Sequence, residues 1–112
     1  MAVSVISGAP QSLLDAIYSA IDDGDIETWA YDDDGDFSHV TPDGQWEGQA
    51  WLHPEVVAGA LMLGIIPPGN GSVTREAYAV YHGRFIEMLV AHFDDMFSAA
   101  TATAQATADD GI

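Results

Sequence analysis

The chain has 112 residues, 18 carboxylates against two arginines and no lysine, and a formal charge of -16. Its length fits one domain, its 48% hydrophobic content is too high for a disordered acidic tail, and the absence of cysteine excludes disulfides, thiolate metal sites and cysteine nucleophiles. A field this negative disfavours direct contact with nucleic acid or anionic lipid, and the stretch from Met1 to Thr74 carries twelve carboxylates without one lysine or arginine.

The residues from Met1 to Gly8 lack the positive region and sustained apolar run of a signal peptide. The longest apolar stretch, Val56 to Ile66, is too short to span a bilayer and is interrupted by Gly59 and Gly64. A cytoplasmic location is the expectation. Leu13, Leu14, Ile17, Tyr18 and Ile21 recur at helical spacing between Pro10 and Gly24, which predicts an amphipathic helix over 10–23. Asp22 and Asp23 at its C-terminus oppose the helix dipole, so they point to a use other than helix stability.

Ile26 to Tyr31 reads as a strand, with Glu27, Trp29 and Tyr31 on one side, and Asp32-Asp33-Asp34-Gly35-Asp36 as the turn after it. Segments 37–41 and 45–52 flank Pro42-Asp43-Gly44, the chemistry of a hairpin. Residues 54–66 fit either helix or strand. Two glycines and the double proline at Pro67-Pro68 favour a strand over 60–66. Thr74 can cap a last, long helix over 75–98, with Val73 stapled onto Tyr78 and a stripe running through Tyr78, Tyr81, Phe85, Met88, Leu89, His92, Phe93 and Met96. Residues 99–112 alternate alanine and threonine and read as a low-complexity, disordered tail. The expected architecture is α+β: a two-layer single domain over 1–98, with an N-terminal helix, a three- to four-stranded antiparallel sheet and the long C-terminal helix.

No nucleophile, glycine-rich phosphate loop or oxyanion motif accompanies the acids, and Glu87 with His82 or Arg84 does not make an acid–base pair, so an enzyme is not expected and no cofactor is implied. The four histidines lack the spacing of a zinc set: His82 and His92 are ten residues apart and read as core or boundary residues, whereas His39 and His53 lie beside turns and read as surface residues. Asp32, Asp34 and Asp36 open like a calcium loop, but glycine arrives at Gly35, one place early, while Phe37 and Asp43 fill the sixth and twelfth positions. No metal site is assigned, and weak calcium association remains a third reading.

The acids instead form two clusters, Asp22, Asp23, Asp25 and Glu27, then Asp32, Asp33, Asp34 and Asp36, expected at opposite ends of the strand and roughly 20 Å apart. With Trp29, Tyr31 and Trp46 as aromatic anchors, they form a candidate partner-binding edge that would occupy a basic channel in place of phosphates. The leading expectation is a small non-enzymatic inhibitor or regulator, of the anti-CRISPR or anti-restriction type by analogy of charge and size, whose partner is a basic nucleic-acid-binding protein. The alternative is an acidic structural or assembly domain from a salt-adapted organism. Met88, Phe93, Met96 and Phe97 are a candidate homodimer seam, should the last helix project beyond its sheet.

Overall fold

The computed structural model describes residues 3–69 and 71–106. Two helices, α1 (Pro10–Asp22) and α2 (Arg75–Phe93), accompany six strands: β1 (Val3–Ile6), β2 (Trp29–Tyr31), β3 (Phe37–His39), β4 (Trp51–Val57), β5 (Ala60–Ile66) and β6 (Ala99–Ala102). The strands form one antiparallel sheet in the order β2-β3-β4-β5-β1-β6. The α+β class is as expected. The sheet is wider than the three or four strands expected, and the second helix is shorter than 75–98.

The register places Val3 opposite Leu63 and Ala102, Val5 opposite Leu61 and Ala100, and Leu52 opposite both Ile65 and Phe37. Cross-strand partners point to the same face, so these residues form a single apolar surface. The ring of Phe37 stacks on Tyr18 of α1 at 5.1 Å and meets Phe85 of α2 at 5.4 Å. Both helices therefore cover that one face. Leu13, Leu14 and Ile17 from α1, and Tyr81, Phe85 and Leu89 from α2, complete the core.

Helix α1 has Pro10 at its start, where the missing N–H costs nothing. It ends in a Schellman motif: Asp25 N–H donates to Ala20 O at 2.9 Å and Gly24 N–H to Ile21 O at 3.1 Å, with Gly24 at φ 81. This wrap consumes residues that the sequence assigned to a strand, so β2 shrinks from 26–31 to Trp29–Tyr31. The turn at Pro42-Asp43-Gly44 does form, with Gly44 N–H donating to Thr41 O at 2.9 Å. The strands beside it do not make a hairpin, because β3 ends at His39 and meets β4 only at Phe37 and Leu52. Beyond that pair β4 has no neighbour on that side, which is where Pro54, lacking an N–H, is tolerated.

The segment 54–66 is a tight hairpin in which β4 and β5 pair from Trp51 and Ile66 to Val57 and Ala60 through Ala58-Gly59. The expected strand over 60–66 is present. Thr74 caps α2, its hydroxyl accepting from Ala77 N–H at 3.1 Å. The helix stops at Phe93, just before Asp94 and Asp95, whose charges oppose a helix C-terminus. The chain turns there: Met96 N–H donates to Phe93 O and Ser98 N–H to Ile6 O, both at 2.9 Å. Residues 99–102, expected in a disordered tail, instead pair with β1 as the edge strand β6, while 107–112 lie outside the described residues.

Candidate functional site

Part of the acidic stretch, Asp22 and the Asp32–Asp36 turn, is drawn into one corner of the molecule by two tyrosines. The turn Asp32 to Asp36 closes β2 onto β3 with Gly35 N–H donating to Asp32 O at 2.9 Å and Asp32 N–H to Asp36 O at 3.1 Å. The Asp32 carboxylate accepts the N–H groups of Asp34 and Asp36, each at 3.0 Å. Gly35 sits at φ 81, a conformation that disfavours any Cβ, and a Cβ there would lie 2.8 Å from the Tyr18 hydroxyl. That hydroxyl, from the last turns of α1, donates to Gly35 O at 2.7 Å. Tyr31, at the end of β2, packs its ring 4.6 Å from Tyr18 and donates its hydroxyl to Asp22 at 2.7 Å.

Asp22, the first member of the first cluster, is therefore not held about 20 Å from the second along a straight strand. A single phenol spans from Tyr31, next to the second cluster, to Asp22 in the first. The expectation failed because the first cluster ends a helix that folds back over β2 rather than leading straight into it. Burial, with Asp36 next in importance, raises the Tyr18 pKa, and the hydrogen bond to Asp22 chiefly raises that of Tyr31, so both phenols stay protonated and donate.

Among the described residues every carboxylate is exposed except Asp36, whose side chain is 13% exposed and accepts from His53 Nδ1 at 2.6 Å. Asp33 and Asp34 are exposed on the turn itself; Asp23, Asp25 and Glu27 are exposed between α1 and β2, and no contact brings them to the turn among the described residues. Asp43 belongs to a separate turn, where the Thr41 hydroxyl and then the Gln45 N–H hold its pKa below the usual value.

Asp32, Asp34 and Asp36 each bring a carboxylate oxygen within 4.8 Å of the others. The flanking elements are strands, unlike the helices of an EF-hand, and Asp32 and Asp36 already spend oxygens on backbone N–H groups and His53. In water, like charges at this separation repel by roughly 1 kcal/mol per pair.

Of the proposed aromatic anchors, Tyr31 is exposed at the acidic corner, Trp46 is half-buried, and Trp29 is core: 2% exposed, edge-on to Tyr81 at 5.6 Å and Phe85 at 5.1 Å. The candidate dimer seam is absorbed by the chain's own core. Met88 and Phe93 are buried within it, and Met96 and Phe97 pack against it half-buried, because the helix ends early and does not project.

Two of the four histidines, His92 and His39, differ from expectation, while His82 and His53 lie as expected. His92 and His53 are exposed, whereas His82 and His39 are buried. His39 is 4% exposed, tilted against Trp29 at 4.7 Å, with Nδ1 held 2.8 Å from Thr28 O. It was missed because it is the last residue of its strand, close before the Pro42-Asp43-Gly44 turn, and so reads as a turn position, although its Phe37-x-His39 alternation carries an inward face. Its imidazole forms part of a cavity of about 290 Å³ between the β2–β3 end and α2, lined by Trp29, Trp46, Arg84, Glu87 and His92 as well.

Among the described residues no helix is long and apolar enough to cross a membrane. No protein-family model, curated protein or solved structure matches this chain.

Proposed function

We propose that the chain is a small non-enzymatic regulator or inhibitor that binds the basic surface of a nucleic-acid-binding protein, its carboxylates standing where phosphates would. The observation that carries this reading is the meeting of Asp22 with the Asp32–Asp36 turn at one corner, tied together by the neutral hydroxyls of Tyr18 and Tyr31. Neutral donors order the acids without cancelling their charge. A basic channel preorganised for phosphates releases the same counterions to a fixed array of carboxylates.

The test is competition. The chain is expected to capture one basic nucleic-acid-binding protein from its host and to displace DNA or RNA from it, with affinity falling as salt rises. Asp33→Lys with Asp34→Lys is the suitable reversal, since both side chains are exposed, whereas Asp32 also holds the turn. Stability is expected to change by under about 0.5 kcal/mol per exposed site, and affinity to collapse. Unchanged affinity would remove the acidic corner from the interface.

A second reading, an acidic structural domain of a salt-adapted organism, is favoured by carboxylates exposed far along the chain from the corner, at Asp15, Glu55, Glu76 and Asp94. It predicts unfolding when salt is withdrawn and no specific basic partner.

A further inference from the structure

The cavity between the β2–β3 end and α2 takes no part in the acidic corner, yet it is the place where unlike polar groups converge on aromatic walls. Thr28 O can only accept, so the ring nitrogen facing it, His39 Nδ1, carries the proton. The neutral imidazole must then present a lone pair at Nε2. No protein partner for Nε2 occurs among the described residues. Burial, and secondarily Arg84, keep the ring from taking a second proton, against the opposing pull of Thr28 O and Glu87. Across the cavity Glu87 contributes a carboxylate, a second acceptor, while Trp46 contributes half-buried indole surface.

We propose that this cavity is a binding site for a single cationic nitrogen group, a guanidinium or primary ammonium, which donates to His39 Nε2 and Glu87 and lies against Trp46. Acceptors and an aromatic face are what such a cation needs. The whole-chain charge of -16 draws cations in and turns anions away. At about 290 Å³ the cavity lies at the lower edge of ligand pockets, roughly 300–1,000 Å³, which suits a group the size of one side chain.

Among the described residues, Arg84 is the one arginine or lysine lining the cavity. It meets Glu87 at 3.4 Å with 59% and 67% of the two side chains exposed, a pair of the kind that contributes about 0–1 kcal/mol. It therefore acts as an exchangeable occupant of the carboxylate, and an incoming cation displaces it.

Methylguanidinium and n-butylammonium, titrated at constant ionic strength and followed by amide and indole chemical shifts, are expected to give saturable shifts at Trp46, Glu87 and His39. Butyrate is expected to give none. Loss of a charged hydrogen bond should weaken binding about tenfold in Glu87→Gln and in His39→Phe, with an unchanged amide spectrum away from the cavity showing that each variant is folded. Arg84→Gln should tighten binding. An anion site would show the reverse, with butyrate binding and Arg84→Gln abolishing it. A blocked Gly-Arg-Gly peptide separates the two sources of the group. Binding tighter than methylguanidinium assigns the site to a partner's side chain, and equal or weaker binding assigns it to a free small cation. Absence of saturable shifts with both cations, or indifference to Glu87→Gln, overturns the proposal.

Discussion

The contact between Gly35 and Tyr18 is where the two halves of the acidic corner join, and replacing one hydrogen atom tests it. Gly35 and Gly24 both have φ 81, but a Cβ on Gly24 would meet nothing within 4 Å, whereas one on Gly35 would lie 2.8 Å from the Tyr18 hydroxyl. Gly24→Ala therefore measures the left-handed backbone term alone, about 1 kcal/mol. Gly35→Ala carries the same term and must also push away a phenol that donates to Gly35 O at 2.7 Å. Its ring is pinned 4.6 Å from Tyr31 and 5.1 Å from Phe37.

Losing that hydrogen bond adds about 1 kcal/mol, and disturbing the ring packing adds up to about 1 kcal/mol more. The expected cost is thus about 2–3 kcal/mol for Gly35→Ala against about 1 for Gly24→Ala, measured by equilibrium denaturation at fixed salt. In a Tyr18→Phe background the Gly35→Ala cost should fall toward that of Gly24→Ala, giving a coupling of about 1 kcal/mol in the double-mutant cycle. Equal costs for the two alanine variants, or a coupling near zero, would refute the link between α1 and the acidic turn.

Three further outcomes follow from other contacts. The folded-state pKa of His39 is lowered, while in the unfolded chain it sits near 6.5. As pH falls through 6.5 the unfolded state takes up a proton that the folded state refuses, so stability should decline from there down to the lowered pKa and then level off; this slope, read by denaturation at stepped pH, should vanish in His39→Phe. Arg84 and Glu87 of α2, with His92, are the charged or titratable groups lining that cavity, so the slope should steepen in Glu87→Gln and shallow in Arg84→Gln. Asp22→Asn should bring the ionisation of the Tyr31 phenol down toward 10.0, seen by ultraviolet titration against Tyr31→Phe, since the carboxylate is what holds the proton on. Thr74→Ala should cost α2 its cap and about 1 kcal/mol of stability in the same denaturation assay.

Helix α1, strand β5, the Asp32–Asp36 turn and the Thr74 cap were legible in the sequence because each is specified within a dozen or so neighbouring residues. What was not legible depends on partners distant along the chain. Val3–Ile6 is a strand only because Ala60–Leu63 and Ala99–Ala102 lie on either side of it. The alanine-rich β6 has poor strand propensity and is recruited by the open edge of β1, an example of tertiary pairing overriding local preference. Pro54 opens a segment that read as either helix or strand, and it is accommodated in a strand because β3 stops short of it. The acidic residues could be named from the sequence, but their convergence could not. It depends on α1 folding back so that Tyr18 and Tyr31 meet, whereas Tyr18 read as part of the helix's apolar face and Tyr31 as an anchor for a partner.

That choice of tyrosine bears on why the first 74 residues contain no lysine or arginine. A cation in place of Tyr31 would tie down Asp22 more strongly than a phenol, since Coulomb attraction between opposite charges would add to the hydrogen bond. It would also remove a unit of negative charge from the corner and offer a like charge to any basic partner. A hydroxyl costs the surface no charge. The penalty remains as repulsion among exposed carboxylates, which salt screens over about 8–10 Å and which a basic surface would convert into attraction. Arg84 is likewise paired with Glu87 on its own helix rather than with a carboxylate of the Asp32–Asp36 turn, whose side chains bond backbone N–H groups and His53 instead.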